Sequence, residues 1–368
     1  MLGVCTWRNL AVTDSGRIGG GWPCLGKLGT DGKFAPILKI SNQYQQNQSF
    51  QTIRENVPPV PELPSFPSFW NAIVTHRWML PTRLATYIIR RTMANQETLY
   101  HVADRVGTIT LNRPDKLNAW TTVMEREVRS AMGEAEHDEN VRVIILTGAG
   151  RGFCAGADMS LLSTVAEKGL DEARRTQAVQ PISGSGDGAR RDFQKKYSYF
   201  PAVTKPVIAA INGPVVGLGL VIALYCDIRL ASDAARFGTA FAQRGLIAEY
   251  GMAWMLPRLV GHANALDLLF SARMIDAAEA LRMGLVNQVY PRETFLESVQ
   301  KYAVDLASNV SPRSLRVIKR QVYDAMFQTL AESFESSEQE MLASLQSEDF
   351  KEGVAHFIEK RAPAFSGR

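Results

Sequence analysis

Two stretches of the chain carry residues whose types and spacing could do chemistry. The first runs Val143-Ile-Ile-Leu-Thr-Gly-Ala-Gly-Arg-Gly-Phe-Cys-Ala-Gly-Ala-Asp158 and reads as a strand, a glycine turn and a helix start. That order invites a dinucleotide site, but the fingerprint fails. Gly148 and Gly150 fit G-x-G-x-x-G, while Phe153 stands where the third glycine must lie. The second stretch, Gly245-Leu-Ile-Ala-Glu-Tyr-Gly251, sets Glu249 at a loop-to-helix turn beside Leu246, Ile247, Tyr250 and Met252. Desolvation in such surroundings raises a carboxyl pKa, which suits a base that must give its proton back. The plainer role for Glu249 is an acid favoured by a helix N-terminus. Metal chemistry finds no spacing: the five histidines make no H-x-x-x-H or H-x-E. Cys5, Cys24, Cys154 and Cys226 form no C-x-x-C and read as free thiols of a reducing compartment.

The elements that must position these stretches follow from patterning. Leu99 to Leu111 predicts two strands joined near Asp104 to Gly107. Asn118 to His137 has helical spacing at Trp120, Val123, Met124, Val128 and Met132. Val141 to Thr147 and Pro206 to Ile211 read as buried strands, and another helix is expected near Ala157. The apolar run from Val207 to Cys226 is broken at Asn212-Gly213-Pro214, so it predicts strand, turn and buried helix, not a membrane span. Short strands follow at Ile228–Ala231 and Arg236–Gly238, and almost everything after Met252 reads helical. Strand–helix alternation with a helical tail predicts an α/β fold, with a core over 93–258 and a helical region over 259–368.

Residues 1–92 are of another kind. Ser41 to Gln51 is Gln/Asn-rich, and Pro58 to Pro67 packs five prolines into ten residues. Without apolar periodicity such a stretch cannot offset its ordering entropy, so a disordered leader or upstream extension is expected, with Met93 as a natural start. Its basic, acid-poor end would also fit an organelle presequence, which would move the expected cytoplasmic location to the mitochondrion. The net charge of +4 resides there: residues 1–92 balance at +6, leaving −2 on 93–368. A nucleic-acid face is therefore not expected, and neither is a membrane partner. The 46% hydrophobic, 21% charged composition leaves ample material for a large core and excludes collagen-like or wholly disordered chains.

Several motifs in order carry a resemblance. Gly107-Thr-Ile-Thr-Leu-Asn-Arg-Pro-Asp-Lys-Leu-Asn-Ala119, Phe153-Cys-Ala-Gly-Ala-Asp158, Lys205-Pro-Val-Ile-Ala-Ala-Ile-Asn-Gly213, Gly217-Leu-Gly219, Cys226-Asp227 and the tail Phe350 to Arg361 resemble the crotonase (enoyl-CoA hydratase/isomerase) superfamily. The resemblance implies a spiral of ββα repeats, a C-terminal helical trimerisation region and an acyl-CoA thioester substrate, with coenzyme A as part of the substrate and no separate cofactor. A homotrimer or a hexamer of two trimers is expected.

The same resemblance assigns roles. The N–H groups of Ala157 and Leu218 would hold an enolate oxygen, and Gly217 would shape that turn. Ala155, Gly156, Asp158, Met159, Lys116 and Leu117 would line the path of the CoA thioester. Phe357 and Lys360 would reach a neighbouring subunit's CoA, or else form an ordinary amphipathic helix face. Ser160 stands where a lysine is common in the family. Related hydratases use two glutamates whose places here hold Val221 and Phe241, neither able to transfer a proton. Glu249 matches the acid of single-carboxylate enoyl-CoA isomerases, so isomerisation of a 3-enoyl-CoA is expected. Hydration is the rival reaction, and a non-catalytic acyl-CoA-binding protein the rival class. An RNA-binding member has a lysine-rich helix at Thr121 to Asn140, but here that helix is acidic, with Glu125, Glu127, Glu134, Glu136, Asp138 and Glu139.

Overall fold

The computed structural model of the chain describes residues 97–160, 163, 167 and 190–368; the expected leader over 1–92 lies outside them. The first two strands, β1 (Thr98–Ala103) and β2 (Val106–Leu111), form an antiparallel hairpin. Asp104 and Arg105 close it, both at positive φ, as a two-residue turn needs to match strand twist. The strands β3 (Val143–Gly148), β4 (Val207–Ile211), β6 (Ile228–Ser232) and β9 (Gln288–Tyr290) then add in parallel, giving the order β1-β2-β3-β4-β6-β9. A smaller sheet pairs β5 (Val215–Val216), β7 (Arg236–Gly238) and β8 (Ile275–Asp276).

Burial explains the near-continuous apolar runs. Every residue of β3 and β4 is buried, because helices cover both faces of the sheet. Ile144, Leu146, Ala209 and Ile211 enter the larger core, together with α1 (Thr122–His137) and α2 (Leu218–Tyr225). The alternate residues Val143, Ile145, Ile208 and Ala210 pack on the other face against Phe295, Val299, Ala303 and Ala307. Those four belong to α6 (Phe295–Asn309), which follows α3 (Met252–Val260), α4 (His262–Ser271) and α5 (Ala277–Arg282). The chain ends in α7 (Pro312–Ala325), α8 (Leu330–Leu345) and α9 (Glu348–Glu359). Among the described residues no helix is long and apolar enough to cross a membrane.

One expectation needs correction. The tract after Met252 is not all helix: β8 and β9 interrupt it, and β9 pairs with β6 in the main sheet. The sheet layer therefore draws on residues beyond position 258. A strand as short as Gln288-Val-Tyr290 offers too few positions for alternation to register.

The Cys226-Asp227 motif has a structural role. Asp227 Oδ2 accepts from the Val207 N–H at 2.7 Å and pairs with Lys319 Nζ at 2.7 Å, while Oδ1 accepts from the Tyr323 hydroxyl at 3.0 Å. Lys319 also donates to the carbonyls of Phe200 and Lys205, at 3.2 and 3.0 Å. These contacts fasten α7 to the edge of β4 and satisfy a buried ammonium.

The start of α2 is held against the glycine-rich segment by backbone alone. Cys154 donates to Pro214 O at 3.2 Å, and Val216 donates back to Cys154 O at 3.0 Å. A Cβ at Gly219 would lie 2.3 Å from that Cys154 carbonyl oxygen, so only glycine permits the approach. Gly133, inside α1, meets nothing within 4 Å in the same test. Alanine at these two positions should act with opposite sign in denaturant unfolding. Gly133→Ala is expected to add about 0.5–1 kcal/mol of stability through helix propensity. Gly219→Ala should lose about 1–3 kcal/mol through overpacking.

Candidate active site

The backbone between Leu117 and Asp158 is tied so that one amide is left over. Ala155 N–H donates to Leu117 O at 2.9 Å, Trp120 N–H to Gly156 O at 2.7 Å, and Asp158 N–H to Trp120 O at 2.9 Å. In this parallel bridge Trp120 faces Ala157, whose own N–H has no acceptor among the described residues. Leu218 opens α2, so its N–H belongs to the unpaired first turn. Gly217 before it sits at φ 54° and donates to Gly238 O at 2.9 Å, which turns the chain into the helix. Gly156, at φ 105°, brings the two segments together: a Cβ there would stand 3.1 Å from Val216 O and 3.8 Å from Leu218 N.

The Arg113-to-Asn118 motif supports this arrangement from beneath. Leu117 and Asn118 are both left-handed, at φ 48° and 56°. Asn118 is fully buried, and its Nδ2 donates to the carbonyls of Ala149 and Gly152 at 3.0 and 2.8 Å, clamping the glycine turn. Arg113 Nη1 lies 2.7 Å from Asp158 Oδ2. Asp158 Oδ1 accepts from both the hydroxyl and the N–H of Ser160, and these bonds with Arg113 hold its carboxyl down at about 2. Its charge fixes the loop; Ser160, at the place of the expected lysine, is part of that fixture.

Ala157 and Leu218, the residues of both free amides, line one cavity of about 730 Å³. Of the residues singled out in sequence, Lys116, Ala155, Gly156, Ala157, Asp158, Met159, Gly217, Leu218 and Glu249 line it. Leu117 does not; it contributes the carbonyl described above, and its side chain lies over Gly152. Phe357 is 79% exposed on α9, and Lys360 caps that helix at φ 53°; both lie outside the lining of this cavity. Of the two positions where related hydratases carry glutamate, Phe241 forms an apolar wall. Val221 is fully buried in α2 and does not reach the cavity.

Glu249 stands on the turn before α3, where its carbonyl accepts from Met252 N–H at 2.9 Å. Burial raises its pKa above the usual carboxylate range. The turn is pinned from the core: Tyr225, the last residue of α2, donates its hydroxyl to Tyr250 O at 2.7 Å. Gly251, at φ 79°, is where a Cβ would fall 2.2 Å from that hydroxyl oxygen. The ring of Tyr250 packs edge-on against Tyr197 at 4.9 Å, and Tyr197 against Trp120 at 6.1 Å, giving the cavity an aromatic wall.

Sequence reasoning misses Glu125, which stands there only as one of the acids of an acidic helix; it is 7% exposed and lines the cavity. Its Oε2 accepts from the Tyr197 hydroxyl at 3.2 Å and pairs with Lys196 Nζ at 3.1 Å. The signal was present in the spacing: Glu125, Val128, Met132 and Ala135 form one helical stripe, and the other three are buried apolar residues. The cavity thus holds three carboxylates among the described residues, Glu125, Asp158 and Glu249. Only Glu249 is left without a cation.

Two unpaired amides, a desolvated carboxylate and an apolar cavity can stabilise an enolate and move a proton beside it. Residues 102–368 match the enoyl-CoA hydratase/isomerase family. The chain is 33% identical over 270 residues to 1,2-epoxyphenylacetyl-CoA isomerase of Escherichia coli (strain K12), covering 73% of this chain and 98% of that one. It is 35% identical over 276 residues to a Rhizobium meliloti (strain 1021) protein named "Probable enoyl-CoA hydratase", covering 75% and 100%. Among solved structures, enoyl-CoA hydratase from Bacillus anthracis superposes with a TM-score of 0.66 at 29% identity, covering 74% of this chain and all of that one. The chain belongs to the enoyl-CoA hydratase/isomerase family.

Proposed function

We propose that the protein isomerises a 3-enoyl-CoA to the conjugated 2-enoyl-CoA. The observation that carries this reading is Glu249. It is the lining carboxylate without a cation partner among the described residues, and it shares a cavity with Ala157 and Leu218, whose N–H groups are unpaired there.

The thioester carbonyl accepts from those two amides. Glu249 takes a proton from C2, and the electron pair moves into the C1–C2 bond and onto the carbonyl oxygen. The two N–H groups stabilise that charge without reorganising. Collapse of the enolate shifts the double bond to C2–C3, and the proton held by Glu249 returns to C4. One carboxylate serves as base and then as acid, so no second proton-transfer group is required. Lys116, Ala155 and Met159 line the mouth through which the CoA portion would pass, and Phe357 and Lys360 would meet it from a neighbouring subunit.

Hydration is the rival. It requires an activated water as well, and Phe241 and Val221 supply no group for that. Glu125 is a second carboxylate in the cavity, held through Oε2 by Lys196 and Tyr197 with Oε1 left open, so comparison of the two rates in the wild type decides between the readings. The trimeric assembly rests on apolar side chains that α8 and α9 leave in water, among them Phe334, Leu342, Phe350, Phe357 and Ile358.

Four outcomes are expected. Glu249→Gln keeps shape and removes basicity, so kcat for 3-enoyl-CoA isomerisation should fall by roughly 10² to 10⁴. A variant that retains full rate, or a wild type that hydrates 2-enoyl-CoA much faster than it isomerises, would exclude the mechanism. The acid limb of the kcat/KM profile should lie above the ordinary glutamate value of about 4.3, because Glu249 must be ionised to act. The sign for stability is opposite. A raised folded-state pKa means the native protein holds the proton longer than the unfolded chain, so ionisation costs stability as pH rises through that window. Glu249→Gln should therefore show an equal or higher Tm at neutral pH. Light scattering at micromolar concentration should return the mass of three or six chains; the mass of one chain would remove the assembly proposal.

A further inference from the structure

The proton transfer described above makes no use of Glu125, Lys196 or Trp120, yet all three line the reaction cavity. A buried ion pair is a poor device for stability, since well-packed apolar residues in its place usually do as well or better. The stripe of α1 around Glu125 is otherwise apolar, with Met124, Val128, Ala131 and Met132 buried. A carboxylate at this position needs another reason.

The hydrogen-bond inventory supplies one. Tyr197 and Lys196 both bind Glu125 Oε2, and Oε1 has no partner among the described residues. The cavity lining therefore carries an acceptor with spare capacity on a side chain only 7% exposed. Lys196 balances the charge of Glu125, so the group that would complete it need not be a cation. A hydroxyl is the simplest neutral substituent able to donate to it.

Position agrees. Trp120 is bridged to Ala157 at the oxyanion end, and Glu125 lies beyond it on the first turn of α1. A group bound at Glu125 is therefore set apart from the thioester carbonyl. Tyr197 and Tyr250 line the space between as apolar rings.

We propose that the acyl group this enzyme selects carries a hydroxyl away from the thioester, donating to Glu125 Oε1. The inference rests on the acyl-CoA reading above and names its substrate class. A pocket built to hydrogen-bond a substrate hydroxyl discriminates strongly against the analogue lacking it, whereas an apolar pocket does not.

Saturated thioesters, which have no double bond to move, separate this inference from the isomerase reading. Calorimetric binding would compare 6-hydroxyhexanoyl-CoA with hexanoyl-CoA, and 4-hydroxyphenylacetyl-CoA with phenylacetyl-CoA. The wild type should bind the hydroxylated member of at least one pair about tenfold to a hundredfold more tightly, the range of a hydrogen bond to a charged group. Glu125→Leu should abolish that preference. Because Glu125→Leu strands Lys196, the double variant Glu125→Leu/Lys196→Met takes its place if the single one does not fold. Equal binding within both pairs, or a preference that survives loss of Glu125, overturns the proposal. If plain thioesters bind and 3-enoyl-CoA is isomerised while the hydroxyl gains nothing, only this inference falls. If no CoA thioester binds at all, both readings fall together.

Discussion

The arrangement depends on one close approach, that of the chain around Cys154 to the chain around Val216. Two reciprocal backbone hydrogen bonds join them, and Gly156 and Gly219 remove the side chains that would hold them apart. The consequence is electrostatic. Amides on either side of the junction find internal acceptors, while those of Ala157 and Leu218 are left facing a cavity. An oxyanion site of this kind is a by-product of backbone pairing. It uses no side chain and needs no ionisation, and its geometry is as rigid as the core that surrounds it.

The rest of the molecule can be understood as support for that junction. Asn118 clamps the glycine turn, Arg113 and Ser160 immobilise Asp158, and α2 is buried at all eight positions, so the amide at its start cannot drift. On the far side of the sheet, α6 packs on alternate residues of β3 and β4, so the strand carrying the glycine turn is fixed from both faces. The buried Lys319–Asp227 pair attaches the C-terminal helices to this same layer. Charges in this fold serve mainly to hold backbone in place; Glu249 is the exception, placed where burial disfavours its charge.

Much of this was legible in the sequence, for physical reasons. Parallel strands covered on both faces must be apolar throughout, and Val143–Leu146 and Val207–Ile211 are. The glycines at 156, 217 and 219 and the acid at 249 stand out through the family resemblance, whose motifs hold because backbone approach and turn geometry constrain residue type locally. What escaped notice depended on tertiary context. β9 is too short to show a period, and it becomes a strand because β6 offers it an edge. Glu125 looked like one more acid on an acidic helix, and only the packing of that helix turns it inward. Leu117 was placed on the substrate path by its neighbours in the motif, whereas its left-handed backbone directs it to the glycine turn instead. Val221 and Phe241 were correctly recognised as incapable of proton transfer, but only the fold shows that one of them is a wall of the cavity and the other is not part of it.

The turn that carries Glu249 is bounded by Gly245 and Gly251, both left-handed, and is fastened by a single hydroxyl, that of Tyr225, to a carbonyl. None of the hydrogen bonds that create the oxyanion site passes through it. On the proposed mechanism, the charge-stabilising half of the site and the proton-moving half are thus separate parts of one fold. Exchange of a few residues between those two glycines can change which atom of a thioester gains or loses a proton, while the amides of Ala157 and Leu218 keep their task. A scaffold divided in this way can diversify its reactions by small steps without passing through an inactive enolate site.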